Sequence, residues 1–396
     1  MKILSIIAQK PNSTGSGVYL TELVRCFKNM GHINEIICAC YENDNIIDEK
    51  DIHYNKIVFN TKDVPIKIAG MSDVMPYETI KYSDFIDNPK MLEIWKNVFI
   101  NKTLETIIRF KPDLIICHHL YLLTAIIENL FDGNYRPKIY AICHNTDLRQ
   151  YRQTDLERDF IKENIVKLDK IFFPSNEHMK IAKELFNFDD RKMKVVGIGY
   201  NNNIFKRINI DKYNKSLLYV GKVSKKKGVL SLVKAINLLN DEAISLDIIG
   251  GIGDIDEYNE ILDESKKSKS IINFIKPMSQ DKLAIEYNKH NIFILPSFSE
   301  GIPMVPIEAM ACGAKVVISN LPGVKDFYDA NIKNANIKYV KLPNLTNVDD
   351  ANDDEISAFE ERLACAIKES INDNNNSNPI LNNISWENIA KTMLYQ

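Results

Sequence analysis

The chain has 396 residues, a formal net charge of −3, 26% charged residues and 45% hydrophobic residues. This length exceeds what one ordinary hydrophobic core serves, so two domains are expected. The near-neutral charge disfavours a nucleic-acid-binding protein, and no apolar run approaches the length that spans a membrane. The seven cysteines show no zinc-like CxxC pairing, so we expect reduced, buried cysteines in a cytoplasmic protein.

In the first half, strand-type runs alternate with helix-type runs, which predicts a parallel sheet with crossover helices. The predicted strands are residues 2–8, 33–40, 114–118, 138–143 and 170–174. The predicted helices are residues 17–30, 89–110, 121–131, 154–167 and 176–185. The less regular stretch 44–89 is long for a plain connection. Within it, residues 68–82 could form an acceptor wall or touch lipid, and plain core packing explains them equally well.

The pattern restarts after residues 195–207, whose glycines and consecutive asparagines make this stretch the best linker candidate. The predicted strands that follow are residues 216–220, 245–249, 271–275, 291–295 and 315–319. The predicted helices are residues 229–240, 258–267, 280–290 and 355–370, and the final segment ISWENIAKTMLYQ is amphipathic. We therefore expect an α/β protein with an N-terminal domain over residues 1–200 and a C-terminal domain over residues 205–384.

The segment PSFSEGIPMVPIEAMACG places Glu300 and Glu308 on either side of a glycine–proline turn. Pro306 suits the first turn of a helix that would end at Gly313. A loop between a parallel strand and a helix N-terminus is where α/β proteins bind anionic ligands. Both carboxylates can then accept hydrogen bonds from the hydroxyls of one sugar or ribose. The alternative is a solvated surface loop, which the turn and the apolar helix around Glu308 disfavour.

A second loop of this kind, GKVSKKKG, begins at Gly221 after a predicted strand. Lys222 and Lys227 are placed to meet a pyrophosphate as compact point charges. Lys225 and Lys226 are interpreted as solvated lysines.

Candidates for contacting a base follow the next two predicted strands. Glycines after residues 245–249 allow a flat base or ribose to approach the backbone, although a simple turn explains them equally well. The candidates are Gly250, Gly251, Lys276, Pro277 and Met278.

The first predicted strand leads into PNSTGSG, where Gly15 and Gly17 permit a tight backbone path before a helix. Leu20 occupies the place of the third glycine of a dinucleotide fingerprint, which weakens a nicotinamide-cofactor interpretation. A plain glycine turn is an equally good interpretation of this loop.

Polar residues also follow two central strands of the first half. His118 and His119 follow one strand, and His144, Asp147 and Arg149 follow the next. Side chains in loops at strand ends are better functional candidates than a lone core histidine. Their spacing fits no familiar set of metal ligands, so no metal is expected.

Taken together, these motifs resemble the retaining glycosyltransferases of the GT-B fold, within glycosyltransferase family 4 (glycosyl transferases group 1). The E-x7-E signature of that family matches Glu300 and Glu308, and its histidine loop matches His144. Its glycine–basic–x4–lysine–glycine element and its N-terminal glycine loop match Gly221, Lys222, Lys227, Gly228, Gly15 and Gly17. The resemblance implies two Rossmann-like parallel-sheet domains that face a central cleft, with the C-terminal helix, residues 385–396, packing back onto the first domain.

The resemblance also implies roles for the site residues. Glu300 and His144 would contact the transferred sugar, and Glu308 would hold the ribose. The donor diphosphate would be bound by Lys222, Lys227, Gly221, Gly15 and Gly17. The turn residues Gly301, Ile302, Pro303, Met304 and Val305 would bind the donor sugar or ribose, aided by the backbone N–H groups of this turn. Candidates on the acceptor side are His118, His119, Asp147 and Arg149.

Two departures from the family pattern stand out. Lys222 occupies a position that is often arginine, so a bidentate grip on phosphate is lost. Asn145 replaces the glycine that often follows the loop histidine, although asparagine tolerates a left-handed backbone better than most residues.

The implied reaction moves a hexosyl or N-acetylhexosaminyl group from a nucleotide-diphosphate sugar, with UDP favoured, to a hydroxyl acceptor and keeps the anomeric configuration. The acceptor would be a glycan, a lipid-linked sugar or a small molecule, with peripheral contact at the inner face of the membrane as one option. No metal or cofactor is implied. The alternatives are a nucleotide-sugar epimerase or hydrolase on the same fold, and a non-catalytic nucleotide-sugar-binding protein.

Overall fold

The computed structural model describes residues 1–71, 75, 77–131, 136–213, 215–345, 352–375, 378–381 and 384–395, with only the backbone of residue 353. Residues 72–74 and 76, in the predicted excursion 68–82, lie outside this description, as does residue 396 at the end of the predicted C-terminal helix. The internal contacts divide the chain into two compact units. The first unit comprises Met1–Ile198 and Trp386–Gln396, and the second comprises Gly199–Ser385.

The first unit contains a seven-stranded sheet whose neighbouring strands are all parallel, in the order β3-β2-β1-β6-β7-β8-β9. A short two-stranded parallel ribbon, β4 with β5, lies outside it. The strands are β1 (Lys2–Ile7), β2 (Ile33–Cys40), β3 (Ile52–Val58), β4 (Ala69–Gly70), β5 (Ile80–Lys81), β6 (Leu114–His118), β7 (Lys138–Ile142), β8 (Lys170–Phe173) and β9 (Met193–Val195).

Within the described part of Met1–Ile198, seven α-helices accompany these strands. They are α1 (Gly15–Asn29), α2 (Asp84–Asp87), α3 (Pro89–Phe110), α4 (Leu122–Asn129), α5 (Thr146–Gln153), α6 (Arg158–Ile165) and α7 (Asn176–Phe186). Local sequence explains the ends of α3. The Asn88 side chain accepts a hydrogen bond from the Met91 amide, Pro89 occupies the first turn, and Lys111 ends the helix with φ of 50°.

The second unit contains a six-stranded sheet in the order β12-β11-β10-β13-β14-β15, again with parallel neighbours. Its strands are β10 (Ser216–Val220), β11 (Ser245–Ile249), β12 (Ile271–Ile275), β13 (Ile292–Leu295), β14 (Lys315–Ser319) and β15 (Ile337–Val340). Its helices are α8 (Val229–Leu239), α9 (Ile255–Ser265), α10 (Gln280–Lys289), α11 (Val305–Ala311), α12 (Val324–Asn331) and α13 (Asp353–Asn372).

The last helix, α14 (Trp386–Tyr395), packs against α1 and therefore belongs to the first unit. Trp386 lies edge-on to Tyr19 of α1, with ring centroids 4.7 Å apart. Ile389 and Met393 are buried on the same helix, as the spacing of an amphipathic helix requires.

The central strands of both sheets are buried on both faces, which is why they read as continuous apolar runs. The predicted α/β class, with parallel sheets in two domains, is confirmed. The structure corrects several details of the prediction. It adds β3, β15 and α12, and it adds α5 where the prediction had a loop. The predicted helix 154–167 begins only at Arg158.

Two further expectations concern the burial of the cysteines and the length of the apolar segments. Cys26 is partly exposed and Cys365 is exposed, so the expected burial of all cysteines was wrong for these two, whereas the other five are buried. Within the described part of the chain, no helix combines the length and the hydrophobicity needed to cross a bilayer.

Candidate functional site

The second sheet changes its winding direction between β10 and β13. From β10 the chain moves outward through β11 and β12, and it then returns to place β13 on the other side of β10. Ligands of open α/β sheets bind outside the carboxyl ends of the strands at such a point. Gly221 follows β10 and Pro296 follows β13, so the two loops that the sequence singled out flank this position.

Glycine packing joins these loops. Gly228 has φ of 70°, and a Cβ added there would run into the carbonyl group of Pro296. A Cβ on Gly250 would likewise overlap the carbonyl oxygen of Gly221. The loops after β10, β11 and β13 are thus held together by close backbone contact. This gives Gly250 a packing role, while its contact with a base stays a prediction.

Lys222 and Lys227 both belong to the loop after β10. Burial, followed by the neighbouring Lys227 charge, lowers the pKa of Lys222 to about 8. The Tyr219 hydroxyl donates to the Lys222 carbonyl oxygen over 2.7 Å, which anchors the start of the loop. A largely buried lysine with a second cation beside it indicates a position prepared for an anion.

Lys227 also pairs with the first of the two signature carboxylates. Its Nζ lies 2.7 Å from Oε1 of Glu300, and the side chains are 33% and 18% exposed. These residues are 73 positions apart in sequence. The tertiary structure therefore brings the lysine loop and the E-x7-E segment into direct contact.

Glu308 lies on α11 and is 7% exposed. The hydroxyl of Tyr287, which is fully buried on α10, donates to Oε2 of Glu308 over 3.2 Å. The Tyr328 hydroxyl donates to the Pro303 carbonyl oxygen over 2.8 Å and holds the turn before α11. A carboxylate held in this way is oriented before any ligand arrives.

The remaining predicted residues of this segment lie between the two glutamates. Ile302 and Pro303 are buried, and Gly301, Met304 and Val305 are partly exposed.

The candidates for contacting a base lie at the ends of β11 and β12. A Cβ on Gly251 would come within 3.9 Å of Pro277, so the two loops are neighbours. Lys276 and Pro277 are exposed, and Met278 is partly exposed.

In the first unit the direction of winding changes between β1 and β6. The glycine loop follows β1, and the two predicted glycines differ in their surroundings. A Cβ on Gly17 would lie 2.5 Å from the Lys10 carbonyl oxygen, whereas nothing lies within 4 Å of a Cβ on Gly15. The Gly17 amide already donates to Thr14 Oγ1 over 3.2 Å. Gly17 thus serves loop packing, and Gly15 has the space that a ligand needs.

The predicted histidines form a cluster at the ends of β6 and β7. His118 Nδ1 lies 3.0 Å from His144 Nε2, and the His119 ring is centred 4.8 Å from the His144 ring. His118 and His119 are each 2% exposed. Their burial therefore does not support direct contact with an acceptor. His144 is partly exposed.

Asp147 also has a position that does not support the expected acceptor contact. It is fully buried on α5. Its carboxylate accepts from the amides of Leu120, His144 and Leu148 over 2.6, 3.2 and 3.1 Å. Asp147 therefore ties the loop after β6 to the loop after β7. Arg149, one position beyond Leu148, is partly exposed on the same helix.

Asn145, which replaces the glycine that is common in the family, has φ of 71° and ψ of −43°. This backbone region is strained for residues with a side chain, and asparagine is among those that enter positive φ more readily. The loop thus adopts, with asparagine, a conformation that suits glycine.

Three tyrosines of these sites carried no signal in the sequence. Tyr219 lies in the apolar strand β10, Tyr287 lies in the mostly polar helix α10, and Tyr19 lies in the first turns of α1. Their hydroxyl groups donate to the Lys222 carbonyl oxygen, the Glu308 carboxylate and the Gly197 carbonyl oxygen. The partners of Tyr287 and Tyr19 are distant in sequence, so only folding reveals them, whereas Lys222 lies three residues after Tyr219.

Among the described residues, Asp247, Glu286 and His290 have ligand atoms close enough to hold a metal ion. These atoms already have protein partners. His290 Nε2 lies 3.1 Å from Asp247 Oδ2, and Glu286 Oε1 lies 2.8 Å from Lys289 Nζ. The cluster is therefore satisfied as a structural network.

Comparisons with known proteins agree with this architecture. Residues 13–203 match the profile described as Glycosyltransferase Family 4, and residues 201–373 match that of Glycosyl transferases group 1. An uncharacterized glycosyltransferase of Methanocaldococcus jannaschii is 26% identical over 222 residues, which are 52% of this chain and 54% of that protein. The chain thus aligns with about half the length of this curated relative.

Two solved structures resemble the whole chain. Sucrose-phosphate synthase of Thermosynechococcus elongatus superposes with a TM-score of 0.70 at 17% identity, covering 99% of this chain and 97% of that one. An α,α-trehalose-phosphate synthase (UDP-forming) of Burkholderia xenovorans, in complex with glucose-6-phosphate, gives 0.64 at 11% identity, covering 99% and 96%. At these identities the likeness concerns the fold, which is GT-B.

Proposed function

Because the chain belongs to the GT-B glycosyltransferases of family 4 (glycosyl transferases group 1), we propose that it transfers a sugar from a nucleotide-diphosphate sugar to a hydroxyl acceptor. The observation that carries the proposal is the contact between the lysine loop and the E-x7-E segment at the switch point of the second sheet. Lys227 and Glu300 meet there at 2.7 Å. A phosphate-binding cation and a hydroxyl-binding carboxylate are side by side, as a sugar diphosphate requires.

Each residue has a proposed role. Lys222 and Lys227 bind the diphosphate, with Gly221 and Gly15 allowing its close approach. Glu308, held by Tyr287, accepts hydrogen bonds from the ribose. Glu300 contacts the hydroxyls of the transferred sugar, and backbone amides of the turn before α11 assist it. In the first unit, His144 is the residue we propose for contact with that sugar.

In the proposed reaction, the bond between the anomeric carbon and the diphosphate oxygen breaks, and a bond from that carbon to the acceptor oxygen forms on the same face. The acceptor hydroxyl passes its proton to the departing diphosphate oxygen as the bond forms. Negative charge grows on the departing diphosphate, and the cationic lysines stabilise it more strongly than they stabilise the ground state. The configuration at the anomeric carbon is retained.

UDP is the nucleotide we favour, and the structurally similar synthase of Burkholderia xenovorans carries UDP-forming in its name. A glycan, a lipid-linked sugar or a small molecule is proposed as the acceptor. A thermal-shift screen against nucleotides and nucleotide sugars identifies the donor, since a ligand that binds the folded state stabilises it by mass action. Donor turnover measured with and without acceptors then separates transfer from hydrolysis or epimerisation, and binding without turnover indicates a non-catalytic protein.

The decisive variant is Glu300→Gln. We expect it to lower transfer by roughly 100-fold or more, because the negative charge aimed at the reacting sugar is lost. Nucleotide affinity stays the same or rises, since Lys227 no longer has a competing carboxylate. Glu361→Gln, an exposed position on α13, is the matched control. Wild-type turnover by Glu300→Gln would remove Glu300 from the mechanism.

A further inference from the structure

His118 and His144 form a hydrogen-bonded pair of imidazoles at the carboxyl edge of the first sheet. Their rings are nearly parallel, with an interplanar angle of 14° and centroids 5.2 Å apart. His118 Nδ1 lies 3.0 Å from His144 Nε2. His118 is the last residue of β6 and pairs in register with Ile142, the last residue of β7. The neighbouring strands thus deliver both rings to one place.

Three contacts hold the His144 residue in addition to that hydrogen bond. Its ring meets the edge of Tyr19 with centroids 5.3 Å apart and an interplanar angle of 85°. Its backbone amide donates to the buried carboxylate of Asp147. The His119 ring covers another side. A ring constrained in this way has little freedom to exchange one nitrogen for the other.

Both imidazoles of the pair are neutral. Burial lowers the pKa of His118 to about 3, and desolvation together with the neighbouring histidines holds the pKa of His144 well below its ordinary value. Only one hydrogen atom therefore lies between His118 Nδ1 and His144 Nε2. The position of that hydrogen decides the tautomer of each ring.

Two arrangements of the pair are available. If His144 donates, His118 carries its own hydrogen on Nε2, which is buried and has no hydrogen-bond partner among the described residues. If His118 donates from Nδ1, its own unpaired Nε2 carries no hydrogen and is only an acceptor. Buried N–H groups without a partner are rarer than under-satisfied acceptors, so the second arrangement is favoured. His144 then carries its hydrogen on Nδ1.

We propose that His118 is a positioning residue that fixes His144 in the Nδ1–H tautomer, so that His144 donates a hydrogen bond to an oxygen of the donor sugar and does not act as a base. His144 Nε2 is occupied by His118, which leaves Nδ1 as the ring nitrogen for a ligand. The inference rests on the proposed function only for the identity of that ligand. The tautomer itself is a property of the protein alone.

The first experiment measures the tautomer without any activity. The protein is labelled with ¹⁵N-histidine, and long-range ¹H–¹⁵N correlations are recorded for its seven histidines. Loss of one signal set in His144→Gln assigns His144. We expect a protonated Nδ1 and an unprotonated Nε2 at His144. A protonated Nε2 at His144 overturns the proposal, whether or not the protein proves to be a glycosyltransferase.

The second experiment compares His118→Asn with His118→Leu in turnover of UDP-glucose. An asparagine amide can place an N–H near the position of His118 Nδ1, whereas leucine cannot. We expect His118→Leu to lower kcat by roughly tenfold to a hundredfold, as for the loss of one oriented hydrogen bond, with KM for the donor nearly unchanged. His118→Asn should recover most of the rate.

His178→Leu is the matched control, because His178 is also buried in the first unit and bonds to Ser175 Oγ over 2.6 Å. It should leave kcat unchanged. Equal loss in His118→Asn and His118→Leu, with both variants folded by circular dichroism, contradicts the positioning role. If wild-type protein turns over no nucleotide sugar, the proposed function fails, and the measured tautomer still decides the inference about His118.

Discussion

At the scale of single residues, Lys222 shows how folding changes the pKa of a side chain. The sequence predicts the position of this lysine but not its pKa. Its position after β10 follows from the apolar run that precedes it. Its lowered pKa follows from burial and from Lys227, which are products of folding. The consequence is a lysine whose charge changes near physiological pH.

This lowered pKa predicts a pH dependence of UDP binding. The cationic form of Lys222 attracts the diphosphate, so affinity is greatest below the pKa and is lost as pH rises through about 8. Between pH 7 and pH 9 we expect a fall of roughly tenfold, the change in the cationic fraction. UDP is already ionised in this range, since the second pKa of a phosphate monoester is about 6.

Isothermal titration calorimetry with UDP from pH 6.5 to 9.5 measures this dependence. Lys222→Arg keeps its charge throughout and should give a flat profile. Lys225→Met is the control, because the Lys225 side chain is paired with Glu260 and should not affect the profile. A profile of Lys222→Arg that matches the wild type would assign the titration to another group.

At the scale of elements, the start of α1 shows two glycines with different tasks. Gly17 is packed against the backbone of the loop before it, 2.5 Å from the Lys10 carbonyl oxygen for an added Cβ. Nothing lies within 4 Å of a Cβ added to Gly15. The family resemblance implies phosphate binding for both glycines, whereas their surroundings differ.

We therefore predict that two matched substitutions affect different properties, one the stability of the fold and the other donor binding. Gly17→Ala forces the loop and the helix apart and should lower the free energy of unfolding by about 1–3 kcal/mol. Gly15→Ala should leave stability within about 1 kcal/mol, because a methyl group fits there and restricts the unfolded chain. If Gly15 borders the diphosphate, Gly15→Ala weakens donor binding. Urea unfolding measures the first effect, and UDP-sugar titration measures the second. A larger stability loss for Gly15→Ala than for Gly17→Ala would contradict this assignment.

Most elements were predictable because hydrophobic periodicity survives in each segment. The strands Ile33–Cys40, Leu114–His118 and Ser216–Val220, together with helix α3, have the bounds that the sequence predicts. β3 was not predicted, because its alternation of buried and exposed residues breaks at Lys56, and hydrogen bonding to β2 makes it a strand. α5 was not predicted, because its mostly polar residues look like a loop until Asp147 anchors it.

At the scale of the whole molecule, the first unit is completed by the end of the chain. Trp386 is 4% exposed and packs on Tyr19, the residue that also touches His144. The chain therefore closes its first unit only after the second unit has been made. Loss of this helix should affect the first unit before it affects the residues that we propose to bind the nucleotide.

Trp386→Ala tests this arrangement. We expect the unfolding free energy of the first unit to fall by about 3–5 kcal/mol, as for other buried tryptophans. The chain has two tryptophans, and Trp95 remains as a fully buried reporter in the first unit. Fluorescence-detected urea unfolding thus follows that unit alone. Lys391→Ala, exposed on the same helix, should cost less than about 1 kcal/mol. Equal effects of the two variants would show that α14 contributes little to the unit.

The sequence by itself determined the alternation of strands and helices, the two-domain α/β class and the loops that carry the candidate chemistry. These features depend on local periodicity, turn residues and spacing, which each segment contains. Only the tertiary structure decided that Lys227 meets Glu300, that Tyr287 holds Glu308, and that His118 bonds to His144. Each of these pairs joins residues far apart in the chain. Their geometry depends on strand order and close backbone packing, and no local pattern records either.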